Sequence, residues 1–143
     1  MLLFRILFAV GGTLAFLAVL RGLRRQHASR NAALQAPVGS PESDRQTLVA
    51  LRDAGADLTK PTEVNFYLYF PTQAAAADAA SQARTPELPA RVMPAADGKA
   101  WLCFVSGTMV PSESAIHAAS ARLQAVASAL GGDYDGWEAA VSQ

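Results

Sequence analysis

Three carboxylates near the carboxyl terminus are the residues whose types and spacing come closest to a chemical site. Asp133, Asp135 and Glu138 stand at positions i, i+2 and i+5 in the segment GGDYDGWE. Carboxylates this close together could hold a divalent cation, but the segment lacks the ligand number and spacing of an EF-hand loop. We therefore predict no metal site, and keep a ligand-sensing or divalent-metal-sensing module built on this acidic motif as the alternative function.

Nucleophilic catalysis is not indicated either. Cys103 is the one cysteine of the chain and lies in an apolar predicted strand, where a thiol serves as inert packing. His117, one of two histidines, lies early in a predicted helix and is interpreted as solvated or as a helix cap. A nucleophile needs a base within hydrogen-bond reach, and no such pair is evident. The sequence predicts a protein without catalytic residues or cofactors, not an enzyme.

The same acidic segment is the strongest candidate for recognition. A helix needs one glycine to stop, whereas this segment holds three glycines, three acids and two large aromatic residues. We predict that the run from Asp133 through Tyr134, Asp135 and Gly136 to Trp137 forms a partner-binding surface or its scaffold. A structural role stays open, in which the two aromatic residues pack the last strand and Gly136 adopts a backbone conformation closed to other residues.

Charge divides the chain into a basic leader and an acidic remainder. The first 40 residues hold five arginines and no acid, whereas residues 41–143 hold seven basic and all twelve acidic residues, a formal net charge of −5. Phosphate contacts need Lys or Arg, so we expect no direct nucleic-acid binding by the acidic part. A protein partner with a basic surface fits it better.

The leader has the composition of a membrane anchor. Residues 6–20 carry no charge, and with residues 2–5 they nearly span a bilayer core. We predict a transmembrane anchor over residues 1–25, in contact with lipid through residues 2–21, and a linker over residues 26–43. Most arginines follow the apolar run, which favours an uncleaved, single-pass anchor with a cytoplasmic carboxyl-terminal domain over a cleaved signal peptide.

Residues 44–143 are predicted to form one α+β domain. Alternation of apolar and polar residues predicts its clearest strand over residues 63–70, with Tyr67 and Tyr69 on the side away from the core, facing solvent or a protein. The order β-α-β-β-α-β favours a ferredoxin-like split βαβ fold with both helices on one face of the sheet. An open three-stranded sheet with an irregular tail is the alternative. The predicted elements are a short helix from an N-cap at Ser43 to Gly55, strands over 63–70, 88–94, 100–107 and 133–141, and helices over 72–84 and 111–130.

Three segments of the chain resemble the family of regulator of ribonuclease E activity B. They are residues 55–64, which lead into the aromatic strand, the strand start Trp101-Leu102, and the ending from Gly132 to Trp137. The resemblance covers roughly residues 44–141. It implies a ferredoxin-like, non-catalytic domain that binds ribonuclease E or an associated protein and so modulates RNA decay.

Two features depart from that family. The regulator after which the family is named is soluble, whereas this chain begins with an apparent anchor. The domain of this chain is also richer in alanine and less acidic than that regulator. A bacterial source follows from the resemblance, so the anchor is expected in the inner membrane, where it would hold the domain near a membrane-associated nuclease.

Overall fold

The computed structural model describes residues 36–141, which form three helices and a four-stranded antiparallel sheet. The predicted α+β class is confirmed, and the alternative of a three-stranded sheet is wrong. The predicted anchor and most of the predicted linker lie outside the described residues. None of the helices within 36–141 is long and apolar enough to cross a membrane. In chain order the elements are α1 (Pro41–Asp53), β1 (Thr62–Phe70), α2 (Gln73–Ala83), β2 (Ala90–Pro94), β3 (Trp101–Met109), α3 (Glu113–Ala129) and β4 (Asp133–Ala139).

Strand β1 lies at the centre of the sheet because its inward side chains are all large and apolar. The strand order is β2-β3-β1-β4, so β1 pairs with β3 on one side and with β4 on the other, antiparallel to both. Its alternate residues from Val64 to Phe70 are at most 1 % exposed and form the core with α2 and α3. Strand β4 is consequently an edge strand, and the predicted motif lies on it.

The alanine-rich helix α2 packs closely on the sheet. Ala76, Ala79 and Ala83 are fully buried, and their small side chains allow the helix backbone to approach the strands. Thr72 caps the helix, since its hydroxyl accepts a hydrogen bond from the amide of Ala75. Helix α3 begins after Ser112 in the same way.

Helix α1 begins earlier than the sequence predicted. Its N-cap is Ser40 rather than Ser43, because the Ser40 hydroxyl accepts a hydrogen bond from the Ser43 amide at 3.1 Å. Pro41 occupies the first helical position, where its missing N–H leaves no hydrogen bond unmade. The helix therefore includes residues 41–43, which the sequence had placed in the linker.

The prediction that Tyr67 faces solvent is wrong. Tyr67 does lie on the sheet side away from the main core, but it is 3 % exposed and clusters with Leu102 and Phe104. Its ring meets the edge of the Phe104 ring at a centroid distance of 5.3 Å, and its hydroxyl donates to Glu138 Oε1. The sheet therefore carries apolar clusters on both faces, and Tyr69 lies half-buried beside the second cluster.

Candidate functional site

A β-bulge in β4 explains the spacing of the carboxyl-terminal motif. Tyr134 pairs with Leu68 and Trp137 pairs with Phe66, so three steps along β4 match two steps along β1. Residues three apart in a regular strand point to opposite faces. The one extra residue at the bulge brings Tyr134 and Trp137 to the same, inner face. Gly136 lies in the bulge with φ at +92°, a backbone conformation that glycine adopts without strain.

The inner face of the motif meets a buried carboxylate on α1. Asp44 is 1 % exposed, and its Oδ1 accepts hydrogen bonds from Trp137 Nε1 and from Ser120 Oγ, both at 3.0 Å. Hydrogen bonds to a charged acceptor are stronger than those between neutral groups. Asp44 therefore joins α1, α3 and β4 at one point, which we call the Asp44 cluster (Asp44, His117, Ser120, Tyr134 and Trp137).

The remaining members of the Asp44 cluster complete its polar contacts. Ser120 is fully buried, and its hydroxyl oxygen lies 2.9 Å from the Tyr134 hydroxyl. Because Ser120 directs its one proton to Asp44, its oxygen is left to accept from Tyr134. The second carboxylate oxygen, Oδ2, lies 3.4 Å from His117 Nδ1, on an imidazole whose side chain is 40 % exposed. The motif aromatics are thus held by hydrogen bonds as well as by packing.

The Asp44 cluster contains the residue types of a Ser-His-Asp triad but not its arrangement. A triad needs the histidine between the nucleophile and the acid. Here Ser120 hydrogen-bonds to Asp44 and Tyr134, whereas His117 Nδ1 lies beside Asp44, and among the described residues no hydrogen bond joins His117 to Ser120. Ser120 is also inaccessible to a substrate, since it is fully buried. The geometry therefore supports a structural junction rather than a catalytic site.

The acids of the motif lie on the opposite, outer side of β4. Asp133 pairs with Tyr69 and Glu138 pairs with Asn65, and both partners point away from the main core. Asp135 alternates with the inward Tyr134 and is half-buried at the bulge. The bulge that turns both aromatics inward therefore leaves three carboxylates along the outer side of an edge strand, and of these Glu138 accepts the hydrogen bond from the buried Tyr67 hydroxyl. We call this set (Asp133, Asp135 and Glu138) the acidic edge.

The other candidate residues carry little chemistry. Cys103 is buried in β3, and burial raises the pKa of its thiol to about 11, so it is a poor nucleophile. Within residues 36–141 no group of three or more His, Cys, Asp or Glu side chains is placed to hold a metal ion. A surface groove lies elsewhere, between α1 and the start of α3, where Arg45 and Glu113 form an ion pair at 3.0 Å.

A family model described as regulator of ribonuclease activity B matches residues 41–139. The match begins at the first residue of α1 and ends at the last residue of β4, and so takes in every described element. The chain belongs to the RraB family. No curated protein matches the chain. RraB proteins are regulators rather than enzymes, which agrees with the predicted lack of catalytic residues, and the family suggests regulation of ribonuclease activity by protein binding.

The RraB match includes α1, which carries Asp44; this residue and Ser120 on α3 are the members of the Asp44 cluster that the sequence did not indicate. Asp44 reads as a solvated acid in the first turn of an exposed helix, because its partners lie more than 70 positions further along the chain. One signal pointed to it. Buried tyrosine and tryptophan usually find a hydrogen-bond partner, so burial of Tyr134 and Trp137 implies a polar residue opposite them. Nothing in the sequence indicates that this residue is on α1.

Proposed function

We propose that this chain is a non-catalytic regulator of ribonuclease E, which it binds directly through the acidic edge of β4. Family membership supports the class of activity, and the observation that carries the binding surface is the bulge at Asp135 and Gly136. The bulge separates the motif into an inward structural half and an outward carboxylate half. We also propose the ferredoxin-like assignment, which the element order and the strand order β2-β3-β1-β4 support.

Charge supports a basic partner segment. Residues 41–143 carry a formal net charge of −5. Charge complementarity speeds association and selects partners, and it is sensitive to salt. A nuclease must present Lys and Arg to hold RNA, so an acidic regulator can occupy such a segment in place of RNA. The proposed effect is reduced access of transcripts to the nuclease.

We further propose that residues 2–21 anchor the chain in the bacterial inner membrane, with residues 36–141 in the cytoplasm. Support comes from the uncharged run over residues 6–20 and from the arginines that follow it. An anchor would keep the acidic edge close to a nuclease that is itself at the membrane. This raises the effective concentration of one partner for the other.

Co-purification of the full chain from detergent-solubilised membranes tests the membrane anchor and the binding to ribonuclease E. We expect the chain in the membrane fraction and ribonuclease E in the eluate, identified by immunoblot. A matched chain lacking residues 1–25 should move to the soluble fraction and still retain purified ribonuclease E. Recovery of the full chain in the soluble fraction would contradict the anchor. Failure of both chains to retain purified ribonuclease E would contradict the proposed function.

The alternative of a ligand or metal sensor has less support. A sensor site needs convergent ligands, and the described residues bring no three potential metal ligands together. The carboxylates of the acidic edge lie in a row along one side of a strand instead. A row of like charges suits an extended basic segment better than a compact ion.

A further inference from the structure

Helix α1 is attached to the domain by two buried side chains of different chemistry. Leu48 is 5 % exposed and packs in the apolar core, whereas Asp44 is 1 % exposed and accepts from Trp137 Nε1. The first contact is non-directional, and the second fixes the indole in one orientation. Loss of either side chain weakens the docking of α1, but only loss of Asp44 leaves the indole N–H without its acceptor.

The Asp44–Trp137 hydrogen bond lies directly beside the bulge. Trp137 follows Gly136, which has no side chain to hold its own position and has φ at +92°. On the other side of the bulge, Tyr134 is tied to Ser120 and through it to Asp44. Both inward residues that flank the bulge therefore depend on one carboxylate.

The same bulge sets the spacing of the acidic edge on the outer side. It comprises Asp135 and Gly136, and its extra residue sets how far apart Asp135 and Glu138 are along the strand. We propose that Asp44 is a positioning residue for the partner-binding surface. By holding Trp137 and Tyr134 it holds the bulge, and by holding the bulge it presents the acidic edge in the geometry that a basic partner recognises.

This inference rests on the proposed function, and it makes α1 part of the binding apparatus although α1 does not carry the acidic edge. The simpler view is that Asp44 only stabilises the fold. The two views differ for Leu48→Ala, which removes the other buried side chain of α1 and leaves the Asp44–Trp137 hydrogen bond in place. Leu48→Ala is therefore the matched control.

The test compares the full chain in detergent with its Asp44→Ala, Asp44→Asn and Leu48→Ala variants. The affinities for purified ribonuclease E and for a nona-arginine peptide are measured at a temperature where circular dichroism shows all four chains folded. We expect Asp44→Ala to weaken both affinities about tenfold and Leu48→Ala to change them less than about twofold. Asp44→Asn removes the same charge but keeps an oxygen that can accept from Trp137 Nε1, so it should retain most of the affinity. A loss in Asp44→Asn as large as that in Asp44→Ala would contradict the inference.

Hydrogen exchange at the amides of residues 135 and 136 gives a second readout that a purely stabilising role would not move. We expect faster exchange there in Asp44→Ala than in Leu48→Ala once exchange is corrected for global stability. Equal effects of Asp44→Ala and Leu48→Ala on affinity and on local exchange would overturn the inference. If the unaltered chain bound neither probe, the proposed function would fail, and the exchange comparison would still decide whether Asp44 holds the bulge.

Discussion

Two adjacent glycines before β4 show how single residues control the position of the motif. A methyl group added at Gly132 would lie 2.4 Å from the Phe70 ring and 2.6 Å from the Tyr69 carbonyl oxygen. Gly131 has φ at +70°, but an added methyl group would meet no atom within 4 Å. Gly132 is required for the close approach to Phe70, and Gly131 is required for its backbone conformation.

These two roles predict different losses of stability. We expect Gly132→Ala to lower the free energy of unfolding by about 1–3 kcal/mol, because β4 must shift away from β1. Gly131→Ala should cost about 1 kcal/mol through backbone strain alone. Urea unfolding of both variants measures the difference. A loss at Gly132→Ala no larger than that at Gly131→Ala would show that β4 does not approach Phe70 this closely.

At the same scale, Asp44 shows why part of the site could not be predicted. The types and spacing of Tyr134 and Trp137 marked the motif, but the side to which they point depends on the bulge. A bulge shifts every later side chain by one position, and sequence alternation does not reveal it. The partner of Trp137, Asp44, then comes from a helix distant in sequence, and Tyr134 is joined to Asp44 through Ser120. Only the tertiary structure brings these residues together.

At the scale of elements, local chemistry predicted most of the fold. The alternation in Val64 to Phe70, the cap at Thr72 and the glycines after α3 are local signals, and each marks an element that the structure contains. The start of α1 is the exception, because the sequence predicted its N-cap at Ser43 and the structure has it at Ser40. Ser40 and Ser43 are both good caps by type, and Pro41 between them favours Ser40, since proline fits the first helical turn.

The cap of α1 gives a prediction for that element. Ser40→Ala removes the acceptor for the Ser43 amide and should lower the free energy of unfolding by about 1 kcal/mol. Ser43→Ala, inside the first turn, should cost less than about 0.5 kcal/mol. Thermal unfolding of the two variants makes the comparison. A larger loss at Ser43→Ala would place the start of α1 where the sequence had predicted it.

At the scale of the whole molecule, the motif on β4 has two sides, one structural and the other the proposed binding surface. Its aromatic side belongs to the Asp44 cluster and joins α1 and α3 to the sheet edge. Its acidic side is the proposed contact for ribonuclease E. From the sequence alone, a binding role and a structural role are both open for the five residues from Asp133 to Trp137. The bulge assigns Tyr134 and Trp137 to the interior, where they have the structural role, and it leaves the acids outside, where the binding role is proposed.

Binding of the full chain to purified ribonuclease E, with acids removed from one surface at a time, tests this account most directly. The first variant carries Asp133→Asn and Asp135→Asn, and leaves Glu138 in place because its Oε1 accepts from the buried Tyr67 hydroxyl. The control carries Asp53→Asn and Asp78→Asn, at exposed acids outside β4, with the same change in net charge. We predict at least about tenfold weaker binding for the first variant and less than about threefold for the control. Equal losses in both, or no loss in the first, would contradict the proposal that the acidic edge is the binding surface.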